Sequence, residues 1–477
     1  MANRRSVAVV GGGVGGLAAA ALLARHGFDV QVFEARGGPG GLASAYEVEG
    51  FRFDAGPYIL LDRPGLEWVF SRLECDLGTH VQLRRIERVY EVSGPETSPV
   101  EIDDSLDATA ERIERAWPSQ GRRYQAFVER MWRIYGQLQP LQWVSAPNAV
   151  ELARVGGWRS IAFLLRSLRS VLKGTGLPGP VQHAIGIWTH VAGQNLRRAP
   201  SPLALVSALI HHAGAWYPAR GIGQVAESLA KIAAESGVRF HYNTAVEAIV
   251  CRGRKAQGVR TSDGSFVPAD AVLANSHGVG TYLELLDSDA IPLPRRRRRW
   301  LERLPLQSPG ICIYLAVKGR TPPPYLRFHL PDKNRLCRLL ITPSNLSEPA
   351  GAGEPSWWPA RLLAPMSQDE AQSAGSSAAR DYRDRVLAET WWQECVPEHR
   401  VLAVRLPADW GRDFHLYRNS MNPAMTASFM RAGRLSHRSP YVSGLYLAGS
   451  STHPGQWVSF CAVSGILAAD CLREDFG

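Results

Sequence analysis

Three observations predict an α/β fold. A β-branched run, Val7 to Val10, leads straight into Gly11-Gly12-Gly13-Val14-Gly15-Gly16; Leu17 to Arg25 then reads as a helix; and Asp29 to Phe33 repeats the strand signal and ends on Glu34. Strand, glycine turn, helix and a second strand closed by an acid make up the opening of a Rossmann-like, doubly wound unit. Composition permits such a fold. The 477 residues are 45 % hydrophobic and 21 % charged. That is enough for roughly two to three domains at about 150 residues each, and it excludes disordered, collagen-like and small disulfide-scaffold chains.

Each part of the opening unit has a physical reason. Gly11, Gly13 and Gly16 satisfy G-x-G-x-x-G: the first allows the tight turn, the second lets backbone N–H groups approach a pyrophosphate, and the third lets helix and strand pack closely. The helix N-terminus turns its partial positive charge on the phosphates. Gly27 stops the helix in the position of a C-terminal cap. Glu34, at the end of the second strand, can accept both hydroxyls of a ribose, which argues against a 2′-phosphate ligand. The unit is expected to bind a dinucleotide.

The N-terminus imitates an export signal, with Arg4-Arg5 ahead of the uncharged stretch Val7 to Ala24. Five of its residues are Gly, a poor choice for a helix interior, and the dinucleotide turn accounts for each of them. No other apolar run reaches the ~18 residues of a membrane span. Seven Cys, odd in number and never spaced as C-x-x-C, indicate neither a zinc cage nor a disulfide framework. A reducing, cytoplasmic compartment is expected. Lys+Arg 54 against Asp+Glu 44 gives +10, and only five of the basic residues are Lys. Such a balance suits nucleic acid, anionic lipid or phosphorylated substrates, or reflects an Arg-rich composition.

After Glu34 the chain reads Gly37-Gly38-Pro39-Gly40-Gly41-Leu42-Ala43-Ser44, then Ala45 to Val48 and Phe51 to Asp54 around a Glu49-Gly50 turn, and Ala55-Gly56-Pro57. This is a glycine loop plus a hairpin. The stretch PGGLASAYEVEGFRFDAGP resembles the amine-oxidase-like flavoprotein superfamily and, within it, the phytoene desaturase type of carotenoid desaturase or isomerase. The resemblance implies FAD as cofactor, held at the N-terminus by Gly11, Gly13, Gly15, Gly16, Glu34, Ala35 and Arg36, then by Gly40, Gly41, Leu42, Gly56 and Pro57. At Leu42 the family usually carries an Arg against the pyrophosphate. Either FAD binds more weakly, or another Arg substitutes, Arg36 being nearest in sequence.

The resemblance returns in blocks. Gly214 to Gly221 is similar to the family's G-x-W-aromatic-P-x-G-G, with Arg220 in place of a glycine; Gln224 to Ser236 reads as a helix, and Val238 to Tyr242 and Ala245 to Val250 as strands. Asp270 to Asn275 matches a strand returning to the cofactor, and Gly444 to Gly455 is close to GLYLVGAGTHPG, followed by a closing helix, Val463 to Leu472. By resemblance, Val246, Asn275, Gly449, Ser450 and Val458 also bind FAD. This organisation implies a discontinuous, Rossmann-like FAD-binding domain, 1-75 + 216-294 + 431-477, interleaved with an α+β substrate domain, 76-215 + 295-430.

The substrate segments hold Trp117, Trp132, Trp143, Trp158, Trp188, Trp300, Trp357, Trp358, Trp391, Trp392 and Trp410. Each can be core or surface anchor; together they suit a domain that encloses a long apolar ligand. The Pro-, Gly- and Ser-rich stretch 343 to 377 reads as a long surface loop. On Trp158 to Lys173, Trp158, Ile161, Leu165, Leu168 and Leu172 recur at helical spacing beside Arg159, Arg166, Arg169 and Lys173. That pattern is either an ordinary amphipathic helix or a membrane-facing one that contacts the inner face of the membrane peripherally. Arg295 to Arg299 beside Trp300 reads as a solvated linker or helix face rather than a nucleic-acid site.

G-x-S-x-G, G-x-x-x-x-G-K and H-E-x-x-H are all absent, His211-His212 lack the spacing of a metal pair, and a single dinucleotide fingerprint leaves no second nicotinamide site. No metal and no nucleic-acid partner is expected. The flavin then takes electrons from an apolar small-molecule or lipid substrate and passes them to a diffusible acceptor, oxygen or a quinone. Thr452 to Trp457 should lie beside the flavin ring, making His453, Gln456 and Trp457 the candidate catalytic residues; His453 either serves as acid or base or only shapes the turn. Two stretches depart from the family pattern. Gln456-Trp457-Val458-Ser459-Phe460 replaces A-G-I-P-G, and Asn419-Ser420-Met421-Asn422 replaces G-S-x-F-G.

The leading expectation is therefore an FAD-dependent oxidoreductase, a desaturase or dehydrogenase abstracting hydride from a long apolar, isoprenoid or polyene substrate. The alternatives are a flavin oxidase or dehydrogenase of an amine or specialised metabolite, a carotenoid isomerase or reductase, and a non-catalytic prenyl- or lipid-binding escort protein.

Overall fold

A computed structural model of the chain describes residues 4–191, 196–286, 293–331, 336–343, 346, 356–373, 376–432 and 434–476. Apolar segments from the two ends and the middle of the sequence meet in one five-stranded sheet. Its order is Leu445–Leu447, Ala271–Ala274, Ser6–Val10, Asp29–Phe33, Arg239–His241, and every neighbouring pair is parallel. A parallel strand is covered on both faces, so it reads as an unbroken apolar run. Val7 and Val9 face one core cluster while Ala8 and Val10 face another.

The helices Val14–Arg25, Gly223–Glu235 and Val458–Phe476 pack together on this sheet. The closing helix starts at Val458, five residues before the expected Val463. The hairpin Ala45–Val48 with Phe51–Asp54 lies where expected and pairs in register.

A seven-stranded mixed sheet is the second layer, in the order His399–Arg405, Ile311–Lys318, Trp357–Ala364, Arg338–Ile341, Leu326–His329, Arg88–Gly94, Thr97–Asp103. Its third strand corrects the middle of the loop expected over 343 to 377; residues 344–345, 347–355 and 374–375 of that stretch lie outside the described residues. Trp357–Ala364 pairs on both edges, Ala364 with Ile311 and Leu363 with Leu339. Ala360, Leu362 and Ala364 face one core cluster, Trp357 and Leu363 another. The Pro, Gly and Ser residues that suggested a loop lie mainly in the flanks, which diluted the signal of a strand covered on both faces.

The helix expected over Trp158 to Lys173 is not continuous. A 3₁₀ turn, Gly157–Ser160, runs into Ile161–Leu164, and a separate helix, Leu168–Lys173, follows. Ser167 is extended between them, and its Oγ accepts the Ser170 N–H at 3.2 Å as the N-cap of the second piece. The break re-aims the apolar row. Leu168 and Leu172 are buried, whereas Trp158, Ile161 and Leu165 are 59, 41 and 59 % exposed. Among the described residues, no helix is long and apolar enough to cross a membrane.

Candidate functional site

A cavity of about 730 Å³ is lined by residues of both sheets, within the range of small-molecule and cofactor sites. At one end are Gly11, Gly13, Val14 and Gly15, the turn and first residues of the Val14–Arg25 helix. Gly13 is the N-cap and no side chain caps the helix, so the N–H groups of its first turn are free to meet an anion. Gly16 does not line the cavity. A Cβ there would fall inside contact distance of the Gly11 carbonyl oxygen, and a Cβ on Gly13 would lie 2.8 Å from Asn275 Nδ2. The glycines thus serve both packing and access.

Glu34 closes the adjacent strand. Its Oε2 accepts the Gly12 N–H at 2.7 Å and its Oε1 the Arg36 N–H at 2.9 Å, which orients the carboxylate on the cavity wall. Arg36 is the one Arg or Lys lining the cavity among the described residues. Its Nη1 donates to Ser44 Oγ at 2.8 Å and to the Gly41 carbonyl at 3.2 Å, and the guanidinium stands 4.3 Å over the Phe414 ring. Burial lowers its pKa, partly offset by the Glu34 charge. Leu42 lines the cavity beside Gly41, whose carbonyl Arg36 holds.

The remaining cofactor candidates converge here as well. Ala35, Gly40, Gly41, Gly56, Pro57, Val246, Asn275, Gly449, Ser450 and Val458 all line the cavity. Asn275 Nδ2 donates to the Gly11 carbonyl at 3.4 Å, joining the returning strand to the glycine turn. The closing helix presents its first turn at this wall through Val458, Ser459 and Cys461.

The three catalytic candidates separate. Gln456 and Trp457 line the cavity, Trp457 stacked on Phe460 at 4.8 Å between ring centroids. His453 does not line it. Its Nε2 is 2.8 Å from the Leu141 carbonyl and its Nδ1 is 3.0 Å from Arg434 Nη1. Burial, followed by the Arg434 cation, pushes its pKa down to about 3. Both ring nitrogens are thus engaged by groups outside the cavity lining.

Several wall residues escaped the sequence reading. Asp62 caps the helix Arg63–Arg72, accepting the Gly65 N–H at 3.3 Å and the Tyr135 hydroxyl at 3.2 Å, and burial pushes its carboxyl up. Asp before Arg-Pro is an N-cap signature that could have located it. His277 is buried, with Nε2 3.3 Å from Ser420 Oγ, and burial brings its pKa down to about 3. Apolar side chains line the same cavity, Leu60, Leu61, Leu203, Leu339 and Leu363 among them. Of the eleven Trp in the two middle segments, Trp188 and Trp410 reach this wall.

An uncapped helix N-terminus, an oriented carboxylate and a neighbouring guanidinium along one cavity suit a dinucleotide such as FAD. Comparison with known proteins points the same way. A sequence profile described as flavin containing amine oxidoreductase matches residues 14–473. A zeta-carotene-forming phytoene desaturase of Myxococcus xanthus is 30 % identical over 98 % of this chain and 94 % of its own length. A carotenoid 3,4-desaturase of Haloarcula japonica is 25 % identical over 98 % of both chains. The fold of a putrescine oxidase solved with putrescine superposes with a TM-score of 0.66 at 16 % identity, covering 99 % of each chain.

Proposed function

The chain belongs to the flavin containing amine oxidoreductase family and is an FAD-dependent oxidoreductase; from that premise we propose that it desaturates a long, apolar isoprenoid or polyene substrate. The observation that carries this reading is the continuity of one cavity from the Gly11–Gly15 turn and Glu34 to a wall of Leu, Trp and Pro side chains. When bound, FAD supplies the two-electron acceptor for a hydride leaving a C–H bond. The protein's own part is placement. Backbone N–H groups of Val14 and Gly15 take the phosphates, with Arg36 supplying the cation that Leu42 does not. Glu34 takes the ribose hydroxyls. The first turn of Val458–Phe476, a helix of 19 residues, adds partial positive charge beside Gln456 and Trp457. The leucine wall excludes water and orients the substrate.

The stretches 1-75, 216-294 and 431-477, which contribute the five parallel strands, are read as the FAD unit, and 76-215 with 295-430 as the substrate unit. A peripheral membrane contact is part of the proposal. Among the described residues, four of the six exposed large hydrophobic side chains, Val150, Trp158, Ile161 and Leu165, fall in one short stretch that also carries Arg154, Arg159 and Arg166. Apolar atoms below the headgroups and guanidinium groups at lipid phosphates are what such binding requires.

Purified protein should be yellow and release FAD on denaturation. Anaerobic mixing with a long polyene, bare or oxygenated, should bleach the flavin absorption, and oxygen or a quinone should restore it. A colourless protein that cannot be reconstituted with FAD, or a flavin that no polyene bleaches, would overturn the reading.

A further inference from the structure

Three neutral amides meet on the cavity wall. Asn422 Nδ2 donates to Gln307 Oε1 at 3.0 Å, to the Pro423 carbonyl at 2.9 Å, and to Gln456 Oε1. Gln307 and Asn422 pair in a short antiparallel ladder of Leu306–Gln307 with Asn422–Pro423. Gln456 arrives from the other end of the fold, just before the closing helix. Asn422 and Gln456 sit in the two stretches that depart from the resembled family pattern, and they touch each other.

A carbonyl oxygen only accepts, so the Pro423 contact favours Asn422 with its NH₂ turned inward, and its two N–H bonds are shared among Pro423 and the two glutamine oxygens. Gln307 Nε2, Gln456 Nε2 and Asn422 Oδ1 are left over, and no described residue hydrogen-bonds them. All three residues line the cavity, two offering donors and one an acceptor. His277, held near Ser420, is kept neutral by burial. Among the described residues, the charged groups of the same cavity, Glu34, Arg36, Asp62 and Glu284, make no hydrogen bond to the cluster, whose own three amides are neutral.

We propose that this Gln307–Asn422–Gln456 cluster binds an oxygen function, a hydroxyl or carbonyl, carried by an otherwise apolar polyene, so that the enzyme selects an oxygenated substrate over the bare hydrocarbon. The inference rests on the polyene reading above. A hydroxyl both donates and accepts, matching the mixed set. A pure hydrocarbon strips water from the same amides and replaces nothing, and a site built to hydrogen-bond a group rejects the analogue that lacks it.

The test uses the FAD-loaded enzyme with two polyenes of equal length, one a hydrocarbon and one ending in a hydroxyl. The wild type should favour the hydroxylated chain in kcat/KM by at least about 100-fold. Asn422→Leu and Gln307→Met should each cut that ratio by about tenfold or more while leaving the flavin spectrum and FAD retention unaltered. Equal wild-type use of both polyenes overturns the proposal alone; use of neither overturns the polyene reading too. Variants that shift the flavin spectrum or lose FAD assign the amides to the cofactor and also overturn it. If a variant does not fold, equilibrium binding of the two polyenes to the wild type decides: equal affinity overturns, preference for the hydroxyl supports.

Discussion

Arg361 reaches out of the seven-stranded sheet to Asp54 at the end of the hairpin, Nη2 lying 3.6 Å from Oδ2, with both side chains almost wholly buried. Arg361 Nη1 also donates to the Asp54 carbonyl at 2.7 Å and to that of Gly56 at 3.1 Å. Asp54 in turn accepts the Tyr217 hydroxyl at 2.9 Å and the Ile222 N–H at 2.6 Å. One carboxylate thereby joins the hairpin, the start of the Gly223–Glu235 helix and the second sheet. Gly56 and Pro57, the next wall residues, are held by the same contacts.

Removing only the cation should be costly. Arg361→Met strands a buried carboxylate and should lower unfolding free energy by about 3–5 kcal/mol, measured by urea denaturation. The double variant Arg361→Met with Asp54→Asn should recover a large part of that loss. If the losses of Arg361→Met and Asp54→Asn measured singly simply add in the double variant, the pair is not coupled.

The glycine turn predicts two different phenotypes. At Gly16 the obstacle is the Gly11 backbone carbonyl, which cannot give way, so Gly16→Ala should destabilise the fold by about 1–3 kcal/mol. At Gly13 the obstacle is the Asn275 side-chain amide, which can rotate. Gly13→Ala should therefore fold yet retain less FAD, read as flavin per protein after gel filtration.

Stability should fall on mild acidification. Burial holds His453 and His277 at about 3 and His437 at about 4, whereas the unfolded chain titrates near 6.5. Because the folded values are depressed, the unfolded state binds more protons between about pH 4 and 6.5. The contribution is complete above about pH 6.5 and is lost as pH drops, at up to about 1.4 kcal/mol per pH unit for each histidine. Denaturant midpoints from pH 7.5 to 4.5 should decline, and His453→Gln should flatten the slope. An unchanged slope would contradict the assignment.

Membrane contact should depend on the exposed apolar row. Trp158→Ser with Leu165→Ser should reduce co-sedimentation with anionic vesicles, while Leu168, buried behind the Ser167 break, belongs to the core and should affect stability instead. Raising salt should weaken the wild-type interaction through Arg159 and Arg166.

Local physics made much of this fold legible. The strand, glycine turn, helix and acid of residues 7 to 34 are set by contacts between near neighbours, and the hairpin at 45 to 54 is specified by its own alternation and Glu49-Gly50 turn. Sixteen of the seventeen cofactor candidates line the cavity, and Gly16 packs just behind it. Where the reading failed, a distant partner had decided. Trp357–Ala364 is a strand because neighbours cover both of its edges and faces, whatever its Pro- and Ser-rich flanks suggest. The Trp158 to Lys173 pattern is broken at Ser167, where Leu168 N–H bonds the Ala199 carbonyl instead of continuing a helix.

The nucleotide turn, its acid, the parallel apolar strands and the flavoprotein family could be read without coordinates, since each depends on spacing within a few residues. Contacts between distant segments settle which side chains face the cavity. They turned His453 away into Leu141 and Arg434, and they brought Gln307, Asn422 and Gln456 together from three separate stretches. Side-chain direction is set by packing and hydrogen bonds between segments far apart in sequence, and no local pattern carries that information.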